Sequence, residues 1–402
     1  MDEKMDLFLD KEIWEQAVSH GVCKHLDKGL LNTACSPYGR LAIAEAVEQG
    51  RYKIQPPTVS EIPKPNGKIR EVYANTPMDR LVLTVTNAVY YRLYSDMIHP
   101  SCVSYQKGKS VPKIIRTVTK EINNCSGYKA DLSKYFDSVN IETIDRLLTT
   151  LSTNSPLDKV VWDYYHDNHV IIKGELVERY KSLAQGCALG TLLANLVLRD
   201  LDKELSQMDI VYYRYSDDLL IIGKDADKAL QYLKNKLPDY GLSLNPKKVE
   251  KIEKGKPFTF LGAKITGEKI EMSDDSVEKY KNKIREICKI RKKDKPGRVL
   301  QRRCIKKINN YLRGDYERSH DNFGWDQYFF SLINNKEKLI ELDEFTKDHI
   351  KHLYTGKWNH TTNMHKTSNE QLREMGYKSL SNLYDLFKTD RDLYSIEIRK
   401  VG

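Results

Sequence analysis

Three aspartates are the residues of this sequence whose types and surroundings point most directly to chemistry. Asp217 and Asp218 are adjacent, and apolar, strand-forming residues flank them on both sides. The pattern predicts that the pair occupies the tight turn of a buried hairpin, where two uncompensated charges are costly unless a positive group meets them. A third carboxylate, Asp131, ends another apolar strand. If the two strands are neighbours in one sheet, the three side chains converge.

Converging carboxylates of this kind would bind divalent metal. Hard oxygen ligands in a partly wet site suit Mg²⁺ held together with substrate phosphates, with Mn²⁺ as a substitute. Two such ions about 4 Å apart can activate an attacking hydroxyl and stabilise the leaving oxygen of an in-line displacement. The alternative is that Asp217 and Asp218 merely form a polar hairpin tip, and their apolar flanks weigh against it. The sequence therefore predicts a site for two Mg²⁺ ions.

The elements that must position these aspartates can be predicted from periodicity and turn signals. Apolar, β-forming runs predict strands on both sides of the Asp217-Asp218 pair and before Asp131. The Pro-Asn-Gly sequence at 65–67 marks a turn between two further strands. Apolar residues at helical spacing indicate helices elsewhere. The predicted strands are 127–132, 210–215 and 219–223, and the predicted helices lie in 1–50, 79–98, 111–124 and, as one long helix, 189–205.

Charge is distributed unevenly along the 402 residues. Lys and Arg number 66 and Asp and Glu 56, a formal net charge of +10. Residues 279–318 alone hold 16 Lys and Arg against four Asp and Glu, a net charge of +12, so the rest of the chain carries −2. Apolar residues at helical intervals, interrupted at Pro296 and Gly297, predict two amphipathic helices in this block. The block predicts a surface for a polyanion such as nucleic acid, and a merely solvated helical face is the alternative.

Composition excludes several other classes. With 40% hydrophobic and 30% charged residues, the chain can bury a sizeable core and is not disordered. No run approaches the roughly 18 to 20 apolar residues that cross a bilayer, and the start lacks the order of a signal peptide. The seven cysteines include no C-x-x-C pair, which argues against a disulfide framework and a zinc ribbon. We therefore expect a cytoplasmic protein with no membrane partner.

Five segments lie in order at 129–139, 184–187, 215–218, 241–248 and 260–262, and together they resemble the palm motifs of reverse transcriptases. Upstream of them, 63–70 (PKPNGKIR) and 104–110 (SYQKGKS) resemble the finger motifs of the group II intron and bacterial branch. The resemblance covers residues 50–270 well and the remainder weakly. The palm segments are 129–139 (KADLSKYFDSV), 184–187 (AQGC), 215–218 (YSDD), 241–248 (GLSLNPKK) and 260–262 (FLG).

The resemblance implies catalytic roles for four residues. Asp131 and Asp217 match the family's two principal metal ligands, and Asp218 matches the second carboxylate of the turn, usually a lesser ligand. Lys248 matches the lysine that protonates the leaving pyrophosphate, and the adjacent Lys247 keeps the choice between the two open. The implied activity is RNA-directed DNA polymerisation, a nucleotidyl transfer with deoxynucleoside triphosphates as substrates.

Five further positions match residues that bind the incoming nucleotide. Lys64 and Arg70 match finger residues that grip the triphosphate, where a guanidinium can engage phosphate oxygens bidentately. Phe136 matches the bulky side chain that closes on the sugar 2′ position and so implies deoxynucleotide use, with ordinary core packing as the alternative. Gln185 and Gly186 match the motif under the nascent base pair, where glycine allows close backbone approach.

The downstream part resembles the regions that hold primer and template. Phe260, Leu261 and Gly262 are similar to the family's primer-grip hairpin, and a core strand with a turn glycine is the alternative. The basic helices resemble a thumb that follows the template–primer duplex. The residues expected to bind nucleic acid are Lys109, Lys283, Arg291, Arg302 and Arg303.

The fold that the resemblance implies is α+β. It is a right-hand polymerase fold with fingers, a palm made of an antiparallel sheet with helices on one face, and a helical thumb. The implied domains are an N-terminal helical extension at 1–50, fingers at 51–125, a palm with the metal site at 126–270, which includes finger elements inserted at 140–182, and a basic helical thumb with the C-terminal region at 271–402.

Among reverse transcriptases, the chain most resembles the bacterial defence-associated ("unknown group") enzymes that act against phage. Retron enzymes are the near alternative, and a stripped group II intron maturase is a third, disfavoured by the altered residues 187–191. The implied partners are a structured noncoding RNA template and the DNA product duplex, and a homo-oligomer stays open. Template-independent or protein-primed synthesis is an alternative reaction of the same site. A binding module without catalysis is a further alternative, against which the intact acidic trio weighs.

Overall fold

The computed structural model describes residues 2–19, 23, 26–63, 69–106, 108–122, 125–314 and 324–399. The N-terminal part is helical, as predicted for 1–50. Two strands then form the predicted antiparallel hairpin, in which Pro63 pairs with Ile69. The first elements are α1 (Glu3–Leu9), α2 (Lys11–Ser19), α3 (Lys28–Ala34), α4 (Pro37–Glu48), β1 (Thr58–Pro63), β2 (Ile69–Ala74), α5 (Pro77–Tyr94) and α6 (Val111–Glu121).

The middle of the chain contains two four-stranded sheets. The three strands predicted around the aspartates are present. The elements are β3 (Gly127–Asp131), α7 (Tyr135–Ser138), α8 (Ile141–Leu151), α9 (Pro156–His166), β4 (His169–Ile172), β5 (Glu175–Glu178), α10 (Ala188–Val197), α11 (Arg199–Leu205), β6 (Ile210–Tyr215), β7 (Asp218–Gly223), α12 (Ala226–Lys236) and β8 (Glu250–Ile252). One sheet has the strand order β2-β1-β4-β5 and the other β6-β7-β3-β8.

The prediction of one long helix over 189–205 is wrong, because the helix breaks at Leu198 between α10 and α11. The cause is a contact from another element. The buried Arg214 side chain donates to the carbonyl oxygens of Asn195 at 2.8 Å and Ala194 at 3.3 Å. In an uninterrupted helix these oxygens would accept from the N–H groups of residues 199 and 198. The N–H of Leu198 turns instead to the carbonyl of Leu196.

The last part of the chain is a small sheet followed by helices. The two amphipathic helices predicted on either side of Pro296 and Gly297 are α13 and α14. The sheet has the order β11-β10-β9. The elements are β9 (Phe258–Phe260), β10 (Ala263–Thr266), β11 (Lys269–Met272), α13 (Asp274–Ile287), α14 (Arg298–Arg313), α15 (Trp325–Leu332), α16 (Glu337–Thr355), α17 (His360–Lys366), α18 (Asn369–Glu374), α19 (Leu380–Thr389) and α20 (Arg391–Arg399).

Many helix starts are encoded by a capping residue, which in several cases precedes proline. Ser36, Thr76 and Ser155 each accept a hydrogen bond from the first turn of α4, α5 and α9, and a proline follows each of them. The side chain satisfies an N–H group that the helix leaves unpaired, and proline fits the first helical position because its missing N–H is not needed there.

Within the described ranges, no helix is both long enough and apolar enough to cross a membrane.

The chain divides into two compact units. The first unit comprises Met1–Lys109 and Cys125–Lys251, and the second comprises Ser110–Asn124 and Ile252–Gly402. Helix α6 belongs to the second unit because its apolar side, which includes Ile114, Ile115 and Val118, is buried and it packs against α15. The domain boundaries implied by the resemblance stay a prediction.

The second unit contains a buried carboxylate that should make its stability depend on pH. Asp326 in α15 is 1% exposed and accepts from the Tyr394 hydroxyl at 2.6 Å. Burial raises its pKa from 3.8 to about 6. Between these values the folded state binds more protons than the unfolded state, so the free energy of unfolding falls as the pH rises from about 4 to 6.

We therefore expect Asp326→Asn to stabilise the protein at pH 7.5 by roughly 1–3 kcal/mol and to flatten its stability profile between pH 4 and 6. Thermal unfolding of both proteins across this pH range measures the effect. Asp392→Asn, which changes an exposed carboxylate on α20, is the control and should leave the profile unchanged. Parallel profiles for the native protein and Asp326→Asn would contradict the prediction.

Candidate active site

The three aspartates meet at one edge of the sheet β6-β7-β3-β8. Strand β3 ends at Asp131, whose cross-strand partner is Asp218, the first residue of β7. Asp217 lies in the turn that joins β6 to β7. Directly opposed residues of antiparallel strands have Cα atoms about 4.5–5.5 Å apart. The structure thus brings together three carboxylates that are far apart in the sequence.

The turn between β6 and β7 differs in detail from the expectation that both adjacent aspartates occupy it. Tyr215 pairs with Asp218, so the turn consists of Ser216 and Asp217 alone. Ser216 has a φ of +58° at the first central position, where a type II′ hairpin turn requires a positive φ. For a residue other than glycine, this conformation costs on the order of 1 kcal/mol. The pairing of both flanking strands holds Ser216 in this conformation.

The site carries an excess of negative charge. Burial raises the pKa of the Asp217 carboxyl above its ordinary 3.8, the charge of Asp131 raises it further, and the charges of Lys248 and Arg70 act in the opposite direction. Burial, together with the charges of Asp217 and Asp131, raises the pKa of Asp218 to about 6. A bound cation would therefore offset both the burial and the mutual repulsion of these carboxylates.

Among the described residues, Lys248 forms an ion pair with this cluster. Its Nζ lies 2.5 Å from Oδ2 of Asp131. Burial acts to lower the pKa of Lys248, but the hydrogen bond to Asp131 and the charges of the three carboxylates outweigh it and leave the pKa raised. The sequence left the choice between Lys247 and Lys248 open. In the structure, the ammonium group of Lys248 is the one that contacts Asp131.

The segment before Lys248 fixes the position of Asp131. The Asn245 N–H donates to the Asp131 carbonyl at 2.8 Å, and the Asn245 side-chain amide donates to Asp131 Oδ1 at 3.4 Å. The Leu132 N–H donates to the Asp217 carbonyl at 2.9 Å and so ties β3 to the turn. Asn245 was not identified as a site residue from the sequence, although it lies within one of the motifs that carry the resemblance.

A buried ion pair lies directly behind the turn. Arg214 on β6 and Asp202 on α11 both have side chains that are 0% exposed, and Nη2 and Oδ2 are 2.6 Å apart. The Tyr212 hydroxyl also donates to Asp202 at 2.8 Å. Arg214 donates to the carbonyl of Asn195, and the side-chain oxygen of Asn195 accepts from Ser104 at 2.7 Å. The strand that leads into the turn is therefore tied to both helices and to residues 101–104.

This ion pair was not predicted from the sequence, although the sequence contains a signal that Arg214 needs a partner. Arg214 is the only charged residue in the strand 210–215, and a charge within a buried strand requires a partner. The identity of that partner could not be predicted, because Asp202 is one of several acidic residues in 200–204. Arg214 and Asp202 do not contact the aspartates by any bond described above, and we expect them to position the turn through the backbone of β6.

The residues expected to bind nucleotide are placed around the same unit. Lys64 lies outside the described residues. Arg70 is exposed on β2, and its charge acts on Asp217. Phe136 is half-buried on α7, five residues beyond Asp131, and its ring meets that of Tyr135 edge-on at 5.7 Å.

Gln185 and Gly186 lie against strand β2. The Tyr73 N–H donates to the Gln185 carbonyl at 2.7 Å. Gly186 has a φ of +106°, and an added Cβ would lie 2.5 Å from a methyl group of Val72. Glycine is therefore required here for close approach to the strand that carries Arg70, and the approach to the nascent base pair that the resemblance implies stays a prediction.

The residues expected to hold primer and template lie mostly in the second unit. Phe260 pairs with Ala263, so Leu261 and Gly262, both with positive φ, form the turn of a hairpin. Lys109, in the first unit, donates to the carbonyls of Pro100 and Cys102 at 3.2 Å, and burial lowers its pKa. The basic residues of the second unit are on or near its surface: Lys283 is half-buried, and Arg291, Arg302 and Arg303 are exposed.

The donor set fits a divalent cation, although it is not closed around one. Among the described residues, no three or more His, Cys, Asp or Glu side chains are grouped as a metal site, and Lys248 contacts Asp131 instead. Carboxylate oxygens are nevertheless the ligands that Mg²⁺ prefers. Burial, and after it the charge of the neighbouring carboxylates, raises the pKa values of Asp217 and Asp218, and a bound cation would counter both effects. Asp131, Asp217 and Asp218 are the residues that would hold the ion.

Comparison with known proteins agrees with this geometry. Residues 62–265 match the family model described as "Reverse transcriptase (RNA-dependent DNA polymerase)". The chain is 24% identical over 164 residues to Protein YkfC of Escherichia coli, a match that covers 39% of this chain and 43% of YkfC. It is 20% identical to the retron Ec48 reverse transcriptase of Escherichia coli, over 69% of each chain.

One solved structure similar to this chain is apo telomerase from Candida tropicalis. Sequence identity is 14%, the TM-score is 0.48, and the match covers 86% of this chain and 62% of the telomerase chain. The chain spans less than half the length of YkfC. The family model, by contrast, covers about half of this chain, and its matched residues include all three aspartates and Lys248. On this evidence, the chain belongs to the reverse transcriptase family.

Proposed function

We propose that this protein is an RNA-directed DNA polymerase that extends a primer with deoxynucleotides. The observation that carries the proposal is the cross-strand pairing of Asp131 with Asp218, next to Asp217 in the turn. Three half-buried or buried carboxylates at one sheet edge repel one another and are costly to bury unless a cation meets them. A site that binds a cation together with phosphates accounts for them.

Different residues of the site have different roles in nucleotidyl transfer. Mg²⁺ held by Asp131, Asp217 and Asp218 would lower the pKa of the primer hydroxyl and neutralise developing charge on the phosphoryl oxygens. Lys248, protonated in this setting, is poised to donate a proton to the leaving pyrophosphate. Arg70 offers a guanidinium fork to the triphosphate. Gln185 and Gly186, fixed against β2, would lie under the new base pair.

The finer part of the proposal concerns template and context. We infer that the template is a structured noncoding RNA bound by the protein. The residues that we expect to follow the template–product duplex are Lys109, Lys283, Arg291, Arg302 and Arg303. We also infer that synthesis takes place in the bacterial cytoplasm in defence against phage. The resemblance to defence-associated reverse transcriptases supports this part. The exposed cations of the second unit are chemically suited to the phosphate backbone.

The test is primer extension on a heteropolymeric RNA with Mg²⁺ and the four deoxynucleoside triphosphates, followed by sequencing of the products. DNA complementary to the template is the expected result. Homopolymeric or random DNA would instead favour template-independent synthesis at the same site. Bound RNA without any synthesis would favour a binding module. Sequencing the nucleic acid that copurifies with the protein identifies the natural template.

Phe136→Ala is expected to weaken discrimination against ribonucleotides. The aromatic ring follows Asp131 by five residues and is only half-buried, so part of it is available to contact the sugar. Removing it would admit the 2′-hydroxyl, and the ratio of kcat/KM for deoxy- over ribonucleotides should fall roughly 10- to 100-fold. Single-nucleotide incorporation measures both values.

The control for this variant is Ile141→Ala, which truncates a half-buried apolar residue at the start of the next helix. It should leave sugar discrimination unchanged even if it lowers stability. If Phe136→Ala selects deoxynucleotides as strongly as the native protein does, Phe136 is ordinary core and has no role in sugar selection.

A further inference from the structure

The second unit carries a column of planar side chains that ends in an exposed tryptophan. The Arg285 guanidinium lies 5.2 Å from the centre of the Phe345 ring, and Phe345 lies 4.1 Å from His349. Trp358 meets His349 edge-on at 4.8 Å and stacks on His352 at 4.0 Å with 7° between the planes. The column therefore runs from α13 across α16 to the loop before α17.

Trp358 is placed to accept another planar group. It is 65% exposed although it stacks on His352, which is 8% exposed. His352 covers one face of the indole, so the exposure falls on the remaining surface. Burying the exposed indole surface would be favourable, and neither the packing of α16 nor that of α17 makes use of it.

A basic loop lies beside this tryptophan. Residues 289–297, which connect α13 to α14, hold five Lys and Arg and one Asp. The Gly297 N–H donates to the Leu353 carbonyl at 2.9 Å. Gly356, two residues before Trp358, packs so tightly that an added Cβ would lie 2.8 Å from the Pro296 ring. The loop is thereby fixed next to the tryptophan.

The charge of this loop is available to a ligand. Its five basic residues are all exposed, and its one acidic residue, Asp294, is already paired with Arg303 at 2.5 Å. A planar aromatic surface beside closely spaced exposed cations is the combination that binds single-stranded nucleic acid, in which an unpaired base stacks and the phosphates meet the cations. A continuous duplex cannot present a base face in this way.

We propose that Trp358, backed by His352 and flanked by the basic loop 289–297, is a stacking site for an unpaired base of a single-stranded nucleic acid. The residues of this site all belong to the second unit, whereas the three aspartates belong to the first. The proposal goes beyond polymerisation and does not depend on it. The ligand whose chemistry fits is a single-stranded stretch of RNA with unpaired bases.

The chain offers a matched control for stacking. Trp162 in the first unit is 38% exposed and stacks on His166 at 4.2 Å with 13° between the planes. His166 is bound to Asp145 at 2.9 Å, so an acidic partner adjoins this pair instead of a basic loop. Trp162→Leu removes a comparable tryptophan–histidine stack without touching the proposed site.

The test is binding of a 12-nucleotide single-stranded RNA that contains 5-iodouridine, compared with a duplex of the same length, in the full chain. Trp358→Leu should weaken binding of the single strand roughly 5- to 100-fold at constant salt, whereas Trp358→Phe should retain most of it and Trp162→Leu all of it. Lys292→Gln with Lys293→Gln should reduce the salt dependence, the slope of log K against log salt, by roughly 1 to 1.5. Irradiation should cross-link the RNA to the peptide containing Trp358.

Several results would overturn the proposal. These are unchanged single-strand binding by Trp358→Leu, an equal loss of duplex binding, cross-links that map only to other peptides, or a change of oligomeric state in Trp358→Leu, which would indicate a protein partner instead. Thermal unfolding of each variant shows whether it folds. If Trp358→Leu does not fold, RNA binding by Trp358→Phe and the position of the cross-link test the proposal instead. Binding measured also in the Asp217→Asn background separates this site from polymerase activity.

Discussion

Asp217→Asn is expected to lower the rate of primer extension at least about 1000-fold, which corresponds to about 4 kcal/mol of transition-state stabilisation. The substitution removes one of the three charges that would hold Mg²⁺ and leaves the shape of the turn intact. Without metal, the variant should be at least as stable as the native protein, because it removes a carboxylate whose burial and repulsion by its neighbours raise its pKa. Mg²⁺ should raise the thermal midpoint of the native protein and not that of the variant.

The control for this prediction is Asp239→Asn, an exposed carboxylate of the same unit that is paired with Lys236 at 3.5 Å. It should polymerise and respond to Mg²⁺ as the native protein does. Polymerisation by Asp217→Asn within about tenfold of the native rate would show that this carboxylate is not a metal ligand of the reaction.

Arg214→Leu is expected to lower the free energy of unfolding by about 3–5 kcal/mol, because it leaves the buried Asp202 charge without its partner. The double variant Arg214→Met with Asp202→Leu removes both charges and should recover most of this loss. Its kcat should nevertheless stay at least about tenfold below native, with little change in KM for deoxynucleotides. The reason is that β6 then loses its bonds to the carbonyls of Ala194 and Asn195. Urea unfolding and steady-state extension measure the two effects separately.

Arg199→Ala is the matched control for the buried pair. Its partner Asp200 is 3.1 Å away, and both side chains are at least one-third exposed, so the stability should change by no more than about 1 kcal/mol. Full recovery of kcat together with stability in the double variant would show that Arg214 and Asp202 serve folding alone and do not position the turn.

The individual strands of the site could be predicted from the sequence. That these strands pair in one sheet could not be derived from the hydrophobic pattern alone. Apolar runs around Asp217 and before Asp131 predict strands because their residues favour a buried, pleated surface. That β3 and β7 are neighbours depends on long-range pairing, which periodicity does not encode. The resemblance to reverse transcriptases supplied this step, and the α+β right-hand polymerase fold it implied is confirmed by the family match over 62–265.

Interactions between elements account for what the sequence did not reveal. The break at Leu198 results from Arg214, which reaches across from β6 to carbonyls of α10. Helical propensity within 189–205 contains no trace of that contact. The hydrogen bonds from Asn245 to Asp131 likewise join segments far apart in the chain. Propensity is overridden at such places because the tertiary partner satisfies groups that the local structure would otherwise use.

The position of α6 in the chain has a consequence for synthesis on the ribosome. Its apolar side packs against α15, which begins about 200 residues after α6 ends. At roughly 5–20 residues per second, the interval between the emergence of the two helices is on the order of 10–40 s. During this time α15, against which this apolar side packs, has not yet been made. In a nascent chain that stalls in this interval we expect the apolar side of α6 to lack its α15 cover and to be a surface that a chaperone can bind.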